Sequence, residues 1–196
     1  MSELPRVYLV RHGETEWSKS GQHTGRTDVP LTTAGEAVAP QIGARLADVS
    51  FARVLSSPRG RARRTAELAG FTPEIDDDLV EWDYGDYEGL TSQEIRGRRP
   101  GWLVFRDGAP HGESVRQATE RADAVVARLK ALSGNVLVFS HGHFLRVLAA
   151  RWIGQPAAFA QHLLLGTATL SILDFDHHNP DEPAISLWND DRHLVG

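Results

Sequence analysis

The sequence predicts an α/β protein, a three-layer sandwich in which helices cover both faces of a mostly parallel sheet. Short apolar runs rich in β-forming residues alternate with longer segments of helical spacing, which is the pattern of strand–helix repeats. The composition, 41% hydrophobic and 24% charged residues, is that of an ordinary globular chain. Neither an internal repeat nor a linker divides the 196 residues. We therefore expect one domain over 1–196, with a small lid segment around 82–112.

The first strand is predicted at 7–10, where VYLV is a continuous apolar run. A helix is expected over 32–47 despite Gly35 and Pro40, because Ile and Leu residues recur on one face. A second short strand follows at 54–55. The order strand, helix, strand is that of a parallel βαβ unit.

A second helix is predicted to open at Ser57 and Pro58, a capping residue and a first-turn proline, and to run to residue 69. Alanines spaced three or four residues apart form its inner face. A longer helix is expected over 114–132, where apolar residues have helical spacing.

The clearest buried strand is predicted at 136–139, after a Ser-Gly-Asn turn. A helix beginning at Gly142 follows it at once. The segments 169–175 and 184–187 are β-rich and predict the last strands.

Charge and composition exclude several functional classes. The formal net charge is −5, so bulk charge favours neither nucleic acid nor an anionic membrane as a partner. The absence of cysteine excludes disulfides and thiolate chemistry. Residues 1–6 lack the pattern of a signal peptide, and no apolar run has membrane-spanning length. We therefore expect a cytoplasmic enzyme.

Polar residues directly follow two of the predicted strands. Arg11 and His12 come after the first strand, and His141 comes after the strand at 136–139. Ligands of open α/β sheets bind at the carboxyl ends of the strands. The two histidines are therefore predicted to converge on one site.

A phosphoryl transfer needs a nucleophile, cations around the phosphoryl oxygens and a proton for the leaving oxygen. Arginines at a helix start are unfavourable for the helix dipole unless they meet an anion. On this ground Arg61 is interpreted as a phosphate ligand. For Arg59, Arg63 and Arg64 a solvated basic face is the preferred interpretation.

Four segments together resemble a known family. They are LVRHGETEW at 9–17, SSPRGRARRTA at 56–66, LVEWDYGDYEG at 79–89 and SHGHFLR at 140–146. In this order they are similar to the motifs of the histidine phosphatase superfamily, the phosphoglycerate mutase-like proteins. The resemblance implies a phosphoglycerate mutase-like fold and phosphoryl-transfer chemistry.

The resemblance also implies roles for five residues. His12 would be the nucleophile that forms a phosphohistidine, and Arg11, Arg61 and His141 would complete the phosphate pocket. Glu81 would protonate the leaving oxygen and then deprotonate the attacking water. His12 must be neutral to attack, and neighbouring cations disfavour its protonated form.

Glu81 must hold a proton in the first step, so we expect it against apolar surface or near an anionic substrate. Trp82 and Tyr84 can supply part of that apolar surface. Arginines and histidines would stabilise charge, so no metal and no cofactor is predicted. The pairs His141/His143 and His177/His178 could suggest zinc. No carboxylate–histidine motif accompanies them, and a solvated turn is the preferred interpretation of the second pair.

A narrower resemblance concerns the substrate. The segment WSKSGQHTG at 17–25 is similar to the sedoheptulose-1,7-bisphosphatase branch of the superfamily. It implies that Ser18, Thr24 and Gly25 bind substrate, with His143 as a fourth candidate. Ser18 stands where mutases commonly have Asn. For His143, a packed structural histidine is an equally favoured interpretation.

The stretch 81–111 leaves little room for the insertion that mutases place over the active site. This favours water as the phosphoryl acceptor, and hence a phosphatase of a small phosphorylated metabolite, with a sugar phosphate or bisphosphate preferred. A cofactor-dependent phosphoglycerate mutase and a non-catalytic phosphate-binding regulatory domain are the alternatives. Nucleic acid and membrane are not expected as partners, and a homodimer is left open.

Overall fold

A computed structural model describes residues 4–194, so the two ends of the predicted 1–196 domain and part of segment 1–6 lie outside the described residues. The described part contains a six-stranded sheet. Its strands are β1 (Arg6–Arg11), β2 (Arg53–Ser56), β3 (Glu74–Ile75), β4 (Asn135–Ser140), β5 (Leu170–Phe175) and β6 (Pro183–Asp190).

Seven α-helices and several short 3-10 segments connect these strands within 4–194. The helices are α1 (Glu16–Ser20), α2 (Thr33–Arg45), α3 (Gly60–Leu68), α4 (Ser92–Arg98), α5 (Val104–Asp107), α6 (Val115–Lys130) and α7 (Gly142–Trp152).

The sheet has the order β3-β2-β4-β1-β5-β6. Strands β1, β2, β3 and β4 run parallel to their neighbours, whereas β5 is antiparallel to both β1 and β6. All strands except β5 therefore point the same way, and the predicted mostly parallel α/β class is confirmed.

Alternation along β1 shows the three layers. Val7 and Leu9 belong to the core cluster on the face of α6 and α7, and Tyr8 and Val10 belong to the cluster on the face of α2 and α3. Successive side chains of a strand point to opposite faces, so β1 is apolar throughout because both faces are covered. This burial fixes the position of its carboxyl end, where the site lies.

The structure corrects the predicted start of the second helix. α3 begins at Gly60 with Arg59 as its N-cap, so Pro58 precedes the helix and is not in its first turn. Ser57 holds the approach to the helix through two contacts: its N–H donates to the Phe139 carbonyl, and its side-chain Oγ accepts from Arg59 N.

The segment predicted as a lid, 82–112, contains a 3-10 turn and the short helices α4 and α5. Trp102 and Phe105 of this segment are buried in the larger core cluster, and Trp102 Nε1 donates to the Gly108 carbonyl at 2.9 Å. The segment is therefore packed onto the domain at one side of the site. None of the helices among residues 4–194 is both long enough and apolar enough to cross a bilayer.

Candidate active site

The carboxyl ends of β1 and β4 bring the two predicted histidines together. His12 follows β1, and its backbone N–H donates to the Ser140 carbonyl at 3.0 Å, which extends the β1–β4 ladder by one residue. The rings of His12 and His141 lie 5.2 Å apart between centroids. Two residues 129 positions apart thus share one site because parallel neighbours end at the same edge.

His12 is 4% exposed and its ring has a fixed orientation. Nδ1 lies 2.7 Å from the Gly13 carbonyl, so Nδ1 carries the proton and Nε2 keeps its lone pair. Burial lowers the pKa of His12 well below its ordinary value, and the charges of Arg11 and Arg61 lower it further. His12 is therefore a neutral imidazole at neutral pH, as its proposed chemistry requires.

Arg11 reaches the same place from the last position of β1. Its Nη1 donates to the Leu165 carbonyl at 2.7 Å, and its Nε is buried without a hydrogen-bond partner among the residues described. Burial lowers the pKa of Arg11, and the charge of Glu81 raises it. A donor left unpaired in this way costs free energy unless an anion accepts from it.

His141 is fully buried, and protein groups bind both of its ring nitrogens. Arg61 Nε donates to Nδ1 at 3.2 Å, and Nε2 lies 2.7 Å from Ser57 Oγ. With Nδ1 accepting, Nε2 carries the proton and donates to Ser57. Burial, followed by the charge of Arg61, lowers the pKa of His141 well below its ordinary value.

Arg61 is 1% exposed and holds the loop 24–27 in place. Its Nη1 donates to the Thr27 carbonyl and its Nη2 to the carbonyls of Thr24 and Gly25. Asp28 Oδ1 lies 3.7 Å from its Nη1. In this arrangement Arg61 backs the histidines and shapes the loop. A direct contact of Arg61 with phosphate stays a prediction.

Glu81 lies at the start of α7, where three backbone N–H groups bind its carboxyl group. Its Oε1 accepts the N–H groups of Trp82 and Phe144 at 2.8 Å, and its Oε2 accepts that of His143 at 3.0 Å. The first N–H groups of a helix have no partner inside the helix, and an acidic group is a favourable partner for them. Glu81 as a residue is 8% exposed, and it lines the cavity together with His12.

The cavity at this edge has a volume of about 200 Å³. Its lining is polar and contains six of the predicted site residues, which are Arg11, His12, Ser18, Thr24, Glu81 and His143. Arg61 and His141 lie behind this wall. A cavity of this size suits a small metabolite.

His143 packs in a cage of aromatic rings while lining the cavity. Its Nδ1 lies 2.5 Å from the Tyr84 hydroxyl, and its ring stands edge-on to Phe105 at 5.0 Å between centroids. His23 lies 5.8 Å away on the same side. Burial, and then the charge of Arg146, lowers the pKa of His143 well below its ordinary value. The ring is thus both packed and in contact with the cavity, and its binding of substrate stays a prediction.

Arg146 follows His143 by one helical turn and lines the same cavity. Its guanidinium lies over the Phe105 ring at 4.6 Å and donates to the carbonyls of Ala160 and Gln161. Within residues 4–194 it makes no ion pair. Burial lowers its pKa to about 10.

The remaining predicted substrate residues have local partners. Ser18 Oγ belongs to the capping box of α1, since it accepts from Thr15 N and donates to the Thr15 carbonyl. Thr24 lines the cavity, with its Oγ1 3.3 Å from the Gln22 carbonyl. Gly25 lies outside the cavity wall. A Cβ at Gly25 would be 2.5 Å from the Trp82 carbonyl oxygen, so only glycine fits there.

Sequence reasoning missed four residues that shape the site, namely Ser57, His23, Tyr84 and Arg146. The sequence alone presents Ser57 as a helix cap and Tyr84 as apolar surface. Helical spacing from His143 was the signal that could have found Arg146. Among residues 4–194, no three or more His, Asp or Glu side chains are grouped so as to hold a metal. His177 and His178 lie in the exposed β5–β6 turn.

The family described as histidine phosphatase superfamily (branch 1) matches residues 7–191. A relative named acid phosphatase from Mycobacterium tuberculosis is 46% identical over 88% of this chain and 87% of its own length. A relative named sedoheptulose 1,7-bisphosphatase from Saccharomyces cerevisiae is 35% identical over 95% of this chain and 93% of its own length.

A solved structure of the Mycobacterium tuberculosis open reading frame Rv3214 matches the fold with a TM-score of 0.90. It is 42% identical in sequence and covers 94% of this chain and 96% of that chain. The two proteins therefore share their fold over nearly the whole length of both chains.

Proposed function

Because this chain belongs to branch 1 of the histidine phosphatase superfamily, and is thus a phosphatase, we propose that it hydrolyses a small phosphate monoester through a phosphohistidine on His12. The geometry of His12 carries the proposal. Its protonated Nδ1 is bound to the Gly13 carbonyl, so the lone pair of Nε2 is the free nucleophile. Arg11 and Arg61 provide positive charge beside it.

In the first step, Nε2 of His12 attacks phosphorus and the bond to the leaving oxygen breaks. The electron pair of that bond goes to the leaving oxygen, which takes a proton from Glu81. Arg11, whose buried Nε has no partner among residues 4–194, stabilises the charge on the transferring oxygens. The alcohol then leaves.

In the second step, a water attacks the phosphohistidine and the P–N bond breaks, returning the electron pair to Nε2. Glu81 takes the proton of the attacking water and is ready for the next cycle. No part of either step calls for a metal, because arginine and histidine side chains supply the charge and the nucleophile.

The substrate class that the cavity favours is a sugar phosphate or bisphosphate. His143 and Arg146 lie on one side of the cavity, and Arg146 makes no ion pair in the described chain. An anionic or hydroxyl-rich leaving group would provide partners for both. Ser18 and Thr24 complete the proposed binding set.

Phosphate release from a panel of phosphorylated metabolites, with sedoheptulose and fructose bisphosphates included, tests the substrate class. We expect turnover of p-nitrophenyl phosphate together with higher kcat/KM for sugar phosphates. Rapid isomerisation of 2-phosphoglycerate that depends on 2,3-bisphosphoglycerate would instead assign a mutase. Binding of phosphate without turnover at any pH from acid to neutral would assign a non-catalytic domain.

A further inference from the structure

The pairing of β1 with β5 ends directly before Arg11 and His12, which are the catalytic pair of the proposed mechanism. The ladder ends at Val10 opposite Leu170, and a single residue of the preceding loop then takes over. Ala168 N–H donates to the carbonyls of both Arg11 and His12, at 3.0 and 3.1 Å. Ala168 does so with φ 58°, a left-handed conformation that is unfavourable for alanine.

The same loop, 164–169, also positions the Arg11 side chain. Arg11 Nη1 donates to the Leu165 carbonyl at 2.7 Å, which is the one hydrogen bond that its guanidinium makes to a described residue. The loop therefore touches both members of the pair, through a backbone N–H at residue 168 and a carbonyl at residue 165. Its conformation sets where the guanidinium and imidazole lie.

The end of β6 and the turn after it hold this loop. Asn189 Oδ1 accepts from Gly166 N at 2.7 Å, and Trp188 Nε1 donates to the Leu164 carbonyl at 2.6 Å. His193 Nε2 lies 2.8 Å from the Ala168 carbonyl. Gly166, which Asn189 contacts, lies between Leu165 and Ala168. These two loop residues are the ones that contact Arg11 and His12.

A β-bulge points Asn189 at the loop. The β5–β6 register passes from Leu170 opposite Asp190 to Ile172 opposite Leu187, so β6 has one extra residue there. Asn189 lies in that bulge with φ 55°, and its N–H donates to Ser171 Oγ at 3.0 Å. Bulges redirect side chains near active sites, and Asn is among the few residues apart from glycine that adopt left-handed φ readily.

We infer that Asn189 is a positioning residue of the phosphatase site. Its side-chain carbonyl fixes the loop 164–169, and through Leu165 and Ala168 that loop places the Arg11 guanidinium and the end of β1. Asn189 contacts no substrate. It combines a backbone conformation that permits the bulge with an acceptor that reaches Gly166, and few side chains provide both.

Three substitutions separate these two properties. Asn189→Asp keeps the acceptor and tolerates the left-handed backbone, Asn189→Gly keeps only the backbone freedom, and Asn189→Ala loses both. Asn179→Ala is the matched control, because Asn179 Oδ1 likewise accepts a backbone N–H, that of Asp181, in the distant β5–β6 turn.

The experiment measures kcat and KM with p-nitrophenyl phosphate, Ki for inorganic phosphate and the melting temperature. Ki does not depend on the fraction of enzyme that is folded, so it reports the position of Arg11 and not stability. We expect Ala and Gly to raise Ki about 10-fold or more, since a misplacement of about 1 Å can cost about 100-fold in activity. Asp and the Asn179 variant should stay within about 3-fold of the wild type.

An unchanged Ki in Asn189→Ala, with kcat falling only in proportion to folded protein, would overturn the inference and leave Asn189 a stabilising residue. Loss of function in Asn189→Asp equal to that in Asn189→Gly would overturn it as well. The inference rests on the proposed phosphate site. Should the wild type not turn over phosphate esters, calorimetric binding of inorganic phosphate to the same variants still decides the role of Asn189.

Discussion

At the scale of single residues, the two central histidines of the site, His12 and His141, carry their ring protons on different nitrogens. His12 is protonated on Nδ1 by its contact with the Gly13 carbonyl, whereas His141 accepts at Nδ1 from Arg61 and donates from Nε2 to Ser57. Both rings are buried beside arginines, and the pKa of each lies well below its ordinary value. The His12 imidazole thus keeps a free lone pair on Nε2, as the proposed nucleophile requires, whereas the His141 imidazole is a fixed donor.

Removing the nucleophile should abolish phosphoryl transfer without unfolding the chain. For His12→Ala we expect no measurable turnover and no acid-labile phosphoenzyme in a rapid-quench experiment with a radiolabelled substrate. The exposed His162 provides a matched control, and His162→Ala should keep full activity. A phosphoenzyme trapped in His12→Ala would assign the nucleophile to another residue.

The role of Glu81 is tested by varying the leaving group. Glu81→Gln should lower kcat by about 10²- to 10⁴-fold on an alkyl or sugar phosphate, because a poor leaving group needs a proton. On p-nitrophenyl phosphate the loss should be far smaller, since that leaving group departs unprotonated. The amide oxygen of Gln can still accept from Phe144 N and Trp82 N, although its NH2 group cannot accept from His143 N. The melting temperature of the variant shows whether the loop remains in place.

Glu120→Gln, which changes an exposed carboxylate paired with Arg116, is the control for the Glu81 variant and should have no effect. Equal losses on both substrates in Glu81→Gln would refute the leaving-group role.

At the scale of helices and strands, the site depends on close backbone approaches. A Cβ at Gly35, in the first turn of α2, would lie 2.3 Å from the Glu14 carbonyl oxygen and 2.7 Å from the Glu14 nitrogen. Only glycine lets α2 pack against the loop that follows His12. Thr65 of α3 contacts that loop as well, since its Oγ1 accepts from Gly13 N at 3.0 Å.

Gly35→Ala should therefore lower both the melting temperature and kcat, because the clashing atoms are backbone and the displaced loop adjoins His12. Gly97→Ala should have the opposite effect on stability. Gly97 lies in α4 with no atom within 4 Å of its Cβ position, so alanine there should stabilise the fold by about 0.5–1 kcal/mol. Similar effects of the two substitutions on activity and melting temperature would contradict this explanation.

The elements found from sequence are those with a long apolar face. β1, β4, α6 and α7 bury nearly continuous apolar sets, and their predicted bounds differ from the observed ones by one or two residues or define only a start. The two-residue β3 has both residues exposed and exists only through its ladder with β2, so local sequence carries no signal for it.

The short helices α1 and α5 cannot be predicted from hydrophobic periodicity. Local capping starts α1, and packing against distant residues holds α5. α1 has five residues and no buried side chain, and a Thr15–Ser18 capping box starts it. α5 has four residues and is held by burial of Phe105. Similarly, motif order found His12 and Glu81, but the three N–H groups that bind Glu81 include two from α7, which only the fold brings near.

At the scale of the whole molecule, burial concentrates unprotonated histidines at one edge of the sheet. The pKa values of His12, His23, His141 and His143 are all lowered, and burial is the largest cause for each. Arg11, Arg61 and Arg146 add positive charge around them, so the edge is locally cationic in a chain of net charge −5. A dianionic substrate is therefore attracted to this edge against the overall field.

The same burial makes stability depend on pH in a predictable direction. Below the ordinary histidine pKa of about 6.5 the unfolded chain takes up protons that the folded chain excludes. Because the unfolded state then binds more protons, the free energy of unfolding must fall as pH falls, with a slope of up to about 1.4 kcal/mol per pH unit for each buried histidine. The loss begins near pH 6.5 and ends where the folded protein also binds the protons.

Urea unfolding between pH 7.5 and pH 5 measures this slope directly. His143 lines the cavity, and burial lowers its pKa. His143→Asn should therefore reduce the slope of the free energy of unfolding against pH by up to the contribution of one histidine. This holds even if the variant is less stable at every pH. His177→Asn is the control for the loss of a histidine at an exposed position. Inorganic phosphate should raise stability at each pH by mass action. A free energy of unfolding that stays constant, or rises, from pH 7.5 to pH 5 in phosphate-free buffer would show that these histidines are not held unprotonated by burial.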